Sequence, residues 1–504
     1  MTQFILRKAL KSYSFGQDKV INPSETIRNA MYALRNSKRP IFLKTEKIDH
    51  LDRLGIPVFI SKIGAKQSWK GTNESYWGKG ANVIQSKASA VMEAIERVSC
   101  TGFIRNENNY KVQGLSKINR SNVLKELVLS LPGIYRKNVS FIKDLKKSPL
   151  RYTSAFSLTE NKNILFPLEW FSCTTNGFAA GNSIEEATLQ GLCEVIERHA
   201  ITTIVGKKVL TPEINIDSIN NDIAKDMIMK FKNAGVTLYI KDFSLGLGIP
   251  TVAVIAHDQK TPHNGIIVNC AAGTSLNRDT ALIRALTEVA QGRTQILYRT
   301  LGQIKEKQPI KIRFQSRFPT YKKPAKFLVI SKRKIDFSEM PTYSNKDFKK
   351  EIEMAVVLLK KVGFRVIVTD VTHKDLKIPT VIVTIPRTII IEDFDSNYSF
   401  TRHFYTHLIL YYYRIKSYQN SIKACERYFK IDPKYSKYDI GVFHAYGANY
   451  AKLGNYKKAI DLLKRAASLC SKDDQKMLAA INKNLNKCYL KLSKSENHAS
   501  LNYV

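Results

Sequence analysis

The chain has 504 residues, 44% of them hydrophobic, so it is longer than one ordinary domain and apolar enough to bury substantial cores. Its formal net charge of +37 comes mostly from lysines scattered along the whole length, which indicates a solvated surface and argues against specific nucleic-acid binding. The seven cysteines are dispersed and include no Cys-x-x-Cys pair, which argues against a zinc site or a disulfide framework and predicts a reducing, cytoplasmic location. Neither a secretory signal nor a membrane-spanning window is evident, so we expect no membrane association.

The first strong pattern in chain order is a helical segment that carries Ser89, Glu93, Glu96 and Arg97. Offsets of three and four residues place these side chains on one face of a helix. The residues between them are mostly apolar, and charged groups on such a helix must be paired or must bind a metal.

The same cassette returns about a hundred residues later as Gln190, Glu194, Glu197 and Arg198. One isolated Glu-x-x-Glu-Arg is typical of a solvated helix face with local ion pairs. Two copies in matching apolar contexts instead predict two helices that together hold more than one divalent cation around a polyanion.

The second cassette extends upstream through Glu186 to Asn182 at four-residue steps. Ser183 and Glu186 have the spacing of a capping box, and the small-residue turn 176–182 delivers a helix N-terminus, where backbone N–H groups favour phosphate. This helix face is therefore expected to contact phosphate at its top and to offer metal ligands lower down.

Strand-like runs follow the cassettes. β-Branched segments bounded by turn residues occur at 249–256, 264–268 and 378–386, and they predict an α+β domain with mixed sheet and helix over residues 1–395. The lysine-rich segment from Lys305 to Lys334, with three prolines, is expected to be a surface loop or insertion.

Residues 396–504 are predicted to form an all-α domain. Small and aromatic residues there have the spacing of a tetratricopeptide repeat, with a degenerate repeat before it and a partial repeat after it. The positions that carry the pattern are Gly447, Tyr450, Gly454, Tyr456, Ala459, Leu463 and Ala466. Such an array typically provides a docking surface, and a dimer contact is the alternative.

Three blocks together resemble the YcaO family. They comprise Gly78-Lys79-Gly80 with the first cassette, the turn from Asn176 with the second cassette, and the helix 281–293 with its Glu288-x-x-Gln291-x-Arg293 pattern. The resemblance implies an ATP-dependent enzyme that phosphorylates an amide oxygen so that a nucleophile can replace it.

The resemblance also implies roles for individual residues. Magnesium ligands would be Glu93, Glu96, Glu194 and Glu197. Nucleotide or phosphate contacts would be Lys19, Thr26, Ser89, Asn182, Glu186, Arg198 and Arg293, with Arg284 as the rival of Arg293. Glu93, Glu194 and Arg198 would carry the catalytic step, and the cofactors would be ATP and Mg²⁺.

The substrate is suggested by a departure from the family pattern. Azoline-forming members generally end in a proline-rich tail, whereas this sequence ends Ser500-Leu501-Asn502-Tyr503-Val504. The chain thus resembles the archaeal members that install a thioamide on a glycine of the methyl-coenzyme M reductase α subunit. That implies a protein or peptide substrate, an external sulfide donor and a TfuA-like partner, and we expect a homodimer. Two alternatives stay open: a YcaO-like enzyme or accessory factor acting on another protein, by azoline formation or in ribosomal protein methylthiolation, and a non-catalytic repeat scaffold.

Overall fold

The computed structural model describes residues 4–64, 66, 73–114, 139–168, 175–258, 268–306, 325–388, 397–470 and 475–501. The chain divides into two compact units. The first comprises Met1–Lys111, Ser121–Leu131 and Arg151–Asp393, and the second comprises Val112–Arg120, Pro132–Leu150 and Phe394–Val504. The sequence predicts a continuous first domain over 1–395, whereas 112–120 and 132–150 group with the helical unit. Most of the predicted loop from Lys305 to Lys334, namely 307–324, lies outside the described residues.

Within the described residues the strands are β1 Lys44–Lys47, β2 Val58–Ile63, β3 Glu74–Lys79, β4 Lys111–Gly114, β5 Pro149–Ser157, β6 Lys162–Pro167, β7 Phe178–Ala180, β8 Glu213–Ile214, β9 Val236–Asp242, β10 Thr251–Asp258, β11 Val268–Thr274, β12 Lys334–Ile335, β13 Ile367–Asp370 and β14 Thr380–Thr384. One sheet is the antiparallel set β1-β2-β3, and a second has the order β11-β10-β9-β8-β12. In a third, β5, β13, β14 and β7 follow one another and β6 pairs with β5. The interleaved helices make this unit α+β, as expected.

The α-helices that the structure describes in the first unit are Pro23–Arg35, Val83–Arg105, Ile184–Lys207, Asp222–Asn233, Arg278–Lys305, Lys326–Val329 and Phe348–Lys361. We call Val83–Arg105 the first cassette helix, Ile184–Lys207 the second cassette helix and Arg278–Lys305 the late helix. Each of these three begins at a side-chain cap. Asn82 accepts from the N–H of Gln85, Ser183 from that of Glu186, and Asn277 from that of Asp279.

The second cassette helix is held by its apolar residues. Leu192, Val195 and Ile196 are buried in one cluster with Val381 and Val383 of β14. Burying a side chain of this size contributes about 1.5–3 kcal/mol, so this contact fixes the helix against the third sheet. The polar row of the cassette is thereby left on another face.

The described helices of the second unit are Val139–Lys147, Asn397–Arg414, Tyr418–Ile431, Pro433–Ser436, Ile440–Lys452, Tyr456–Leu469 and Gln475–Leu501. Phe141 is buried here, with its ring 5.4 Å from that of Phe404. Asp144 accepts hydrogen bonds from Tyr405, at 3.2 Å, and from Arg427. These contacts explain why 139–150 groups with the C-terminal helices.

One helix pair of this unit coincides with the predicted repeat. Ile440–Lys452 and Tyr456–Leu469 are joined at Gly454, whose φ of +81° favours glycine. Ala459, Leu463 and Ala466 are buried, which agrees with the small and apolar positions of the pattern. The tetratricopeptide assignment itself stays a prediction.

Candidate functional site

The two cassettes line one cavity in the first unit, with a volume of about 930 Å³. The late helix forms a further wall. Ten of the eleven residues predicted for the site line this cavity; they are Lys19, Thr26, Ser89, Glu93, Glu96, Asn182, Glu186, Glu194, Glu197 and Arg198. The structure therefore brings together side chains that lie up to 179 positions apart in sequence.

In the first cassette the carboxylates are oriented by an arginine and by the backbone. Arg97 lies 3.4 Å from Glu93 and 3.3 Å from Glu96, and the N–H of Trp77 donates to Glu93 at 2.8 Å. Burial raises the pKa of Glu96, and the adjacent Arg97 opposes the shift. A carboxylate in this setting gains from any further positive charge placed beside it.

The second cassette repeats the arrangement. Arg198 donates to Glu194 at 3.0 Å. Burial raises the pKa of Glu197, while Arg284, Lys79 and Arg198 pull it down. In both cassettes the arginine pairs with the first glutamate, and the second glutamate is the more deeply buried of the two; in the first cassette the arginine contacts both.

Glu186 joins the N-terminal segment to the second cassette helix. Its side chain accepts from Lys19 at 3.1 Å, from the N–H of Val20 at 2.9 Å and from Asn182 at 3.1 Å. Only half of the predicted capping box forms, because Ser183 accepts from the N–H of Glu186 while the carboxylate turns to these other donors. Glu186 consequently acts here as an anchor for Lys19 and Asn182.

Arg293 is the predicted residue that the structure does not bring to the cavity. Its guanidinium donates to Asp52 at 2.8 and 3.1 Å and to Asp258 at 3.0 Å, and its side chain is 1% exposed. An arginine committed to two buried carboxylates is not available to a phosphate. The rival Arg284 does line the cavity, where it donates to Gln190 at 2.7 Å.

Lys79 and Glu288 also line the cavity and form an ion pair, although neither was predicted from the sequence to have a role in the site. Burial lowers the pKa of Lys79 to about 7, and the neighbouring Arg284 acts in the same direction. Helical spacing offered a signal for Glu288, since it lies four residues after Arg284 and on the same helix face. Lys79 lies in the Gly-Lys-Gly element that contributes to the family resemblance.

The donor set fits a magnesium–polyphosphate ligand. Within the described ranges, no three acidic, histidine or cysteine side chains stand close enough together to hold a metal as they are. Nε and Nη1 of Arg198 and Nε of Arg284 are, however, buried without a hydrogen-bond partner in the described part of the chain. Buried unsatisfied guanidinium donors are costly, and phosphate oxygens satisfy them. The carboxylate oxygens beside them are the ligand type that magnesium takes.

The cysteines of this region are poor nucleophiles. Cys193, inside the second cassette, is buried, and burial raises its pKa to about 12. Cys270 lines the cavity, and burial raises its pKa well above the usual value. Neither thiol is a thiolate near neutral pH.

His199 packs edge-on against Phe364 with the ring centres 5.5 Å apart, and burial lowers its pKa to about 4. This environment suits a structural imidazole.

None of the helices in the described ranges combines the length and apolar composition of a membrane-spanning segment.

Comparison with known proteins accounts for this arrangement. An uncharacterized protein of Methanothermobacter thermautotrophicus is 30% identical over 386 residues, which cover 73% of this chain and 94% of that protein. The structure of YcaO from Methanopyrus kandleri bound with AMPPCP and Mg²⁺ is similar at a TM-score of 0.54 and 20% identity, over 75% of this chain and 94% of that one. A heterocyclase solved in complex with substrate and cofactor is similar at a TM-score of 0.60 and 19% identity, over 76% of this chain and 54% of that one. At these identities the two structures establish the fold.

The family model described as YcaO cyclodehydratase, ATP- and Mg²⁺-binding, matches residues 77–389. The match covers both cassette helices and the late helix. The chain therefore belongs to the YcaO family, whose cofactors are ATP and Mg²⁺.

Proposed function

We propose that the chain is an ATP-dependent enzyme that replaces a peptide-backbone amide oxygen by sulfur, and that its substrate is a glycine of the methyl-coenzyme M reductase α subunit. The observation that carries the amide-activating part is the cavity in which two carboxylate pairs meet buried, unsatisfied guanidinium nitrogens. The choice of sulfur rests on the resemblance to thioamide-forming members.

The residues predicted for the site, together with Arg284, have distinct proposed roles. Glu93, Glu96, Glu194 and Glu197 would hold Mg²⁺, which supplies charge neutralisation for the transferring phosphoryl group when bound. Arg198 and Arg284 would bind phosphate oxygens. In this role Arg284 replaces Arg293, because only Arg284 lines the cavity. Lys19, Thr26, Ser89 and Asn182 would contact the nucleotide, and Glu186 would orient Lys19 and Asn182.

The reaction needs positioning more than covalent help from the protein. Hydrosulfide adds to the amide carbon, and the carbonyl oxygen becomes an oxyanion that takes the γ-phosphoryl group of ATP. The carbon–oxygen bond then breaks, phosphate departs with the former carbonyl oxygen, and the proton of the thiol is lost as the carbon–sulfur double bond forms. The buried guanidinium groups stabilise the charge that develops on the transferring oxygens.

The sulfur must come from outside the chain under this proposal. Burial raises the pKa of both Cys193 and Cys270, so neither is poised to donate sulfur at neutral pH. We therefore propose an external sulfide donor, and a TfuA-like partner that presents it. A homodimer and a substrate-docking role for the helical unit complete the proposal.

The test is to supply peptide with an ¹⁸O-labelled carbonyl together with ATP, Mg²⁺ and sulfide. Thioamide product should form, and the label should appear in the released phosphate. Thioamide that forms while the phosphate stays unlabelled would refute phosphorylation of the amide oxygen.

Azoline formation is the alternative that the family description favours, since it names a cyclodehydratase. In that reaction the nucleophile is a cysteine, serine or threonine of the substrate, and the product has lost water. Mass spectrometry of the product separates the two, because sulfur exchange raises the peptide mass and cyclodehydration lowers it.

A further inference from the structure

The late helix continues past the phosphate-facing residues and carries a second polar row along the cavity. Gln291, Gln295, Arg299 and Gln303 follow one another at four-residue steps, and all four line the cavity. Each step of four leaves neighbouring members of the row about 40° apart around the helix, so the row winds slowly around the helix as it follows the cavity. The row starts next to Glu288, so it leads away from the reactive end of the cavity.

The chemistry of this row differs from that of the cassettes. Three of its members are primary amides, which both donate and accept hydrogen bonds. Gln291 and Gln295 form no side-chain hydrogen bond with any described residue of the chain. Arg299 pairs with no carboxylate in those same ranges, and its guanidinium lies 5.8 Å from the ring centre of Trp77, which also lines the cavity. Neutral amides are poor partners for a polyphosphate and good partners for peptide groups.

The spacing of the row matches an extended peptide. Four residues of α-helix rise about 6 Å, and groups that face the same way in an extended chain repeat every two residues, at about 6.6 Å. From Gln291 to Gln303 the row spans about 18 Å, close to the roughly 20 Å that three two-residue steps of an extended chain of seven residues cover. Successive members of the row can therefore each meet one peptide group, at alternate residues of the substrate.

The helix also leaves room for a close backbone approach. Gly302 lines the cavity between Arg299 and Gln303, and a Cβ placed there would meet no atom within 4 Å. Space beside a small residue lets one backbone lie near another.

We infer that the row Gln291, Gln295, Arg299 and Gln303 binds about seven residues of substrate in extended conformation through the backbone amides of alternate residues, with Trp77 as an apolar platform. The inference rests on the proposed function for the identity of the substrate. Recognition of this kind fixes the register of the reacting carbonyl while demanding little of the substrate side chains.

Binding can be measured without turnover. Fluorescent peptides that tile the methyl-coenzyme M reductase α subunit around its glycines are titrated with the full-length protein in the presence of AMPPCP and Mg²⁺. In the tightest binder, each backbone amide is then replaced in turn by an ester, which removes one N–H donor. We expect affinity losses of about twofold to tenfold that alternate with a period of two residues, and smaller losses when side chains are replaced by alanine.

Two variants locate the contact on the protein. Gln295→Ala and Gly302→Leu should weaken the peptide by about twofold to tenfold and leave AMPPCP affinity unchanged. Ile304→Ala is the matched control, because Ile304 lies on the same helix, is 53% exposed and does not line the cavity. Its peptide affinity should equal that of the wild type.

The outcomes separate this inference from the proposed function. If the wild type converts a peptide to its thioamide and the KM for that peptide is unchanged in Gln295→Ala and Gly302→Leu, the inference is overturned and the proposed function stands. Binding with the two-residue period, but without thioamide formation, would keep the inference and overturn the function. The inference would be overturned if none of the tiled peptides bound. It would also be overturned if the two variants weakened the binding of a single-stranded RNA oligonucleotide and left peptide binding unchanged.

Discussion

The contrast between Arg293 and Arg284 gives the most discriminating prediction. Arg293→Met removes a guanidinium that makes three hydrogen bonds to two carboxylates, of which Asp258 is 0% exposed. Breaking a buried ion pair from one side typically costs about 3–5 kcal/mol, because an uncompensated charge stays behind. Asp258 keeps Arg53, which donates to both of its oxygens at 2.7 and 2.8 Å, so the penalty falls mainly on Asp52. We therefore expect a loss of about 3 kcal/mol, at the lower end of that range.

The assay is urea unfolding followed by circular dichroism, together with calorimetry of AMPPCP and Mg²⁺ binding below the transition. Arg293→Met should shift the unfolding midpoint and leave analogue affinity within about threefold of the wild type. Arg284→Met is the matched variant on the same helix. It should lower analogue affinity by about tenfold or more through loss of a charge-assisted phosphate contact, with little change in stability. The reasoning is wrong if Arg293→Met abolishes analogue binding while the unfolding midpoint stays in place.

Three further predictions concern the cavity. Glu194→Gln combined with Glu197→Gln should weaken Mg²⁺–AMPPCP by at least about tenfold in calorimetry, and an unchanged affinity would place the metal elsewhere. Cys270→Ala should retain thioamide formation, because its high pKa excludes a role as nucleophile; loss of product with normal folding would contradict this. Burial lowers the pKa of Lys79 to about 7 from 10.5, so between these pH values the unfolded chain binds more protons and the free energy of unfolding gains a term that rises with pH. Lys79→Met should flatten that rise in urea titrations at a series of pH values, and an unaltered slope would argue against the lowered pKa.

The cassettes were predictable because helical spacing alone defines their faces. Glu93 and Glu96 share one face by their offset, as do Glu194 and Glu197, and the apolar flanks indicate that each helix is packed. The two faces line one cavity because of how the sheets are arranged. Sequence periodicity does not encode that arrangement. The family resemblance supplied that step.

The choice between Arg293 and Arg284 could not be made correctly from the sequence. The two residues are nine positions apart, and at 100° per residue nine positions turn a helix by about two and a half revolutions, so they face opposite ways. Periodicity thus says that one of them must leave the site. It does not say which, because the partners Asp52 and Asp258 lie far from Arg293 in sequence.

The segment 139–150 was missed for a related reason. Phe141 and Asp144 are ordinary residues of an amphipathic helix, and their partners Phe404, Tyr405 and Arg427 lie more than 250 residues away. Local composition indicates that the helical domain starts near 396. It does not indicate that an earlier segment packs with that domain.

Two glycines set a mechanical limit on the site. A Cβ on Gly78 would overlap the backbone of Ser86 and Ala90 in the first cassette helix. A Cβ on Gly177, at φ +78°, would overlap the backbone of Val383 in β14 and press on the Val195 side chain of the second cassette helix. The first cassette helix is therefore in backbone contact with β3 and cannot move closer to it, and the turn before the second cassette helix is held in the same way against β14. Adjustment to ligands of different size must then come from rotation of side chains, so evolution of new substrates in this scaffold should spare these glycines and alter the lining residues instead.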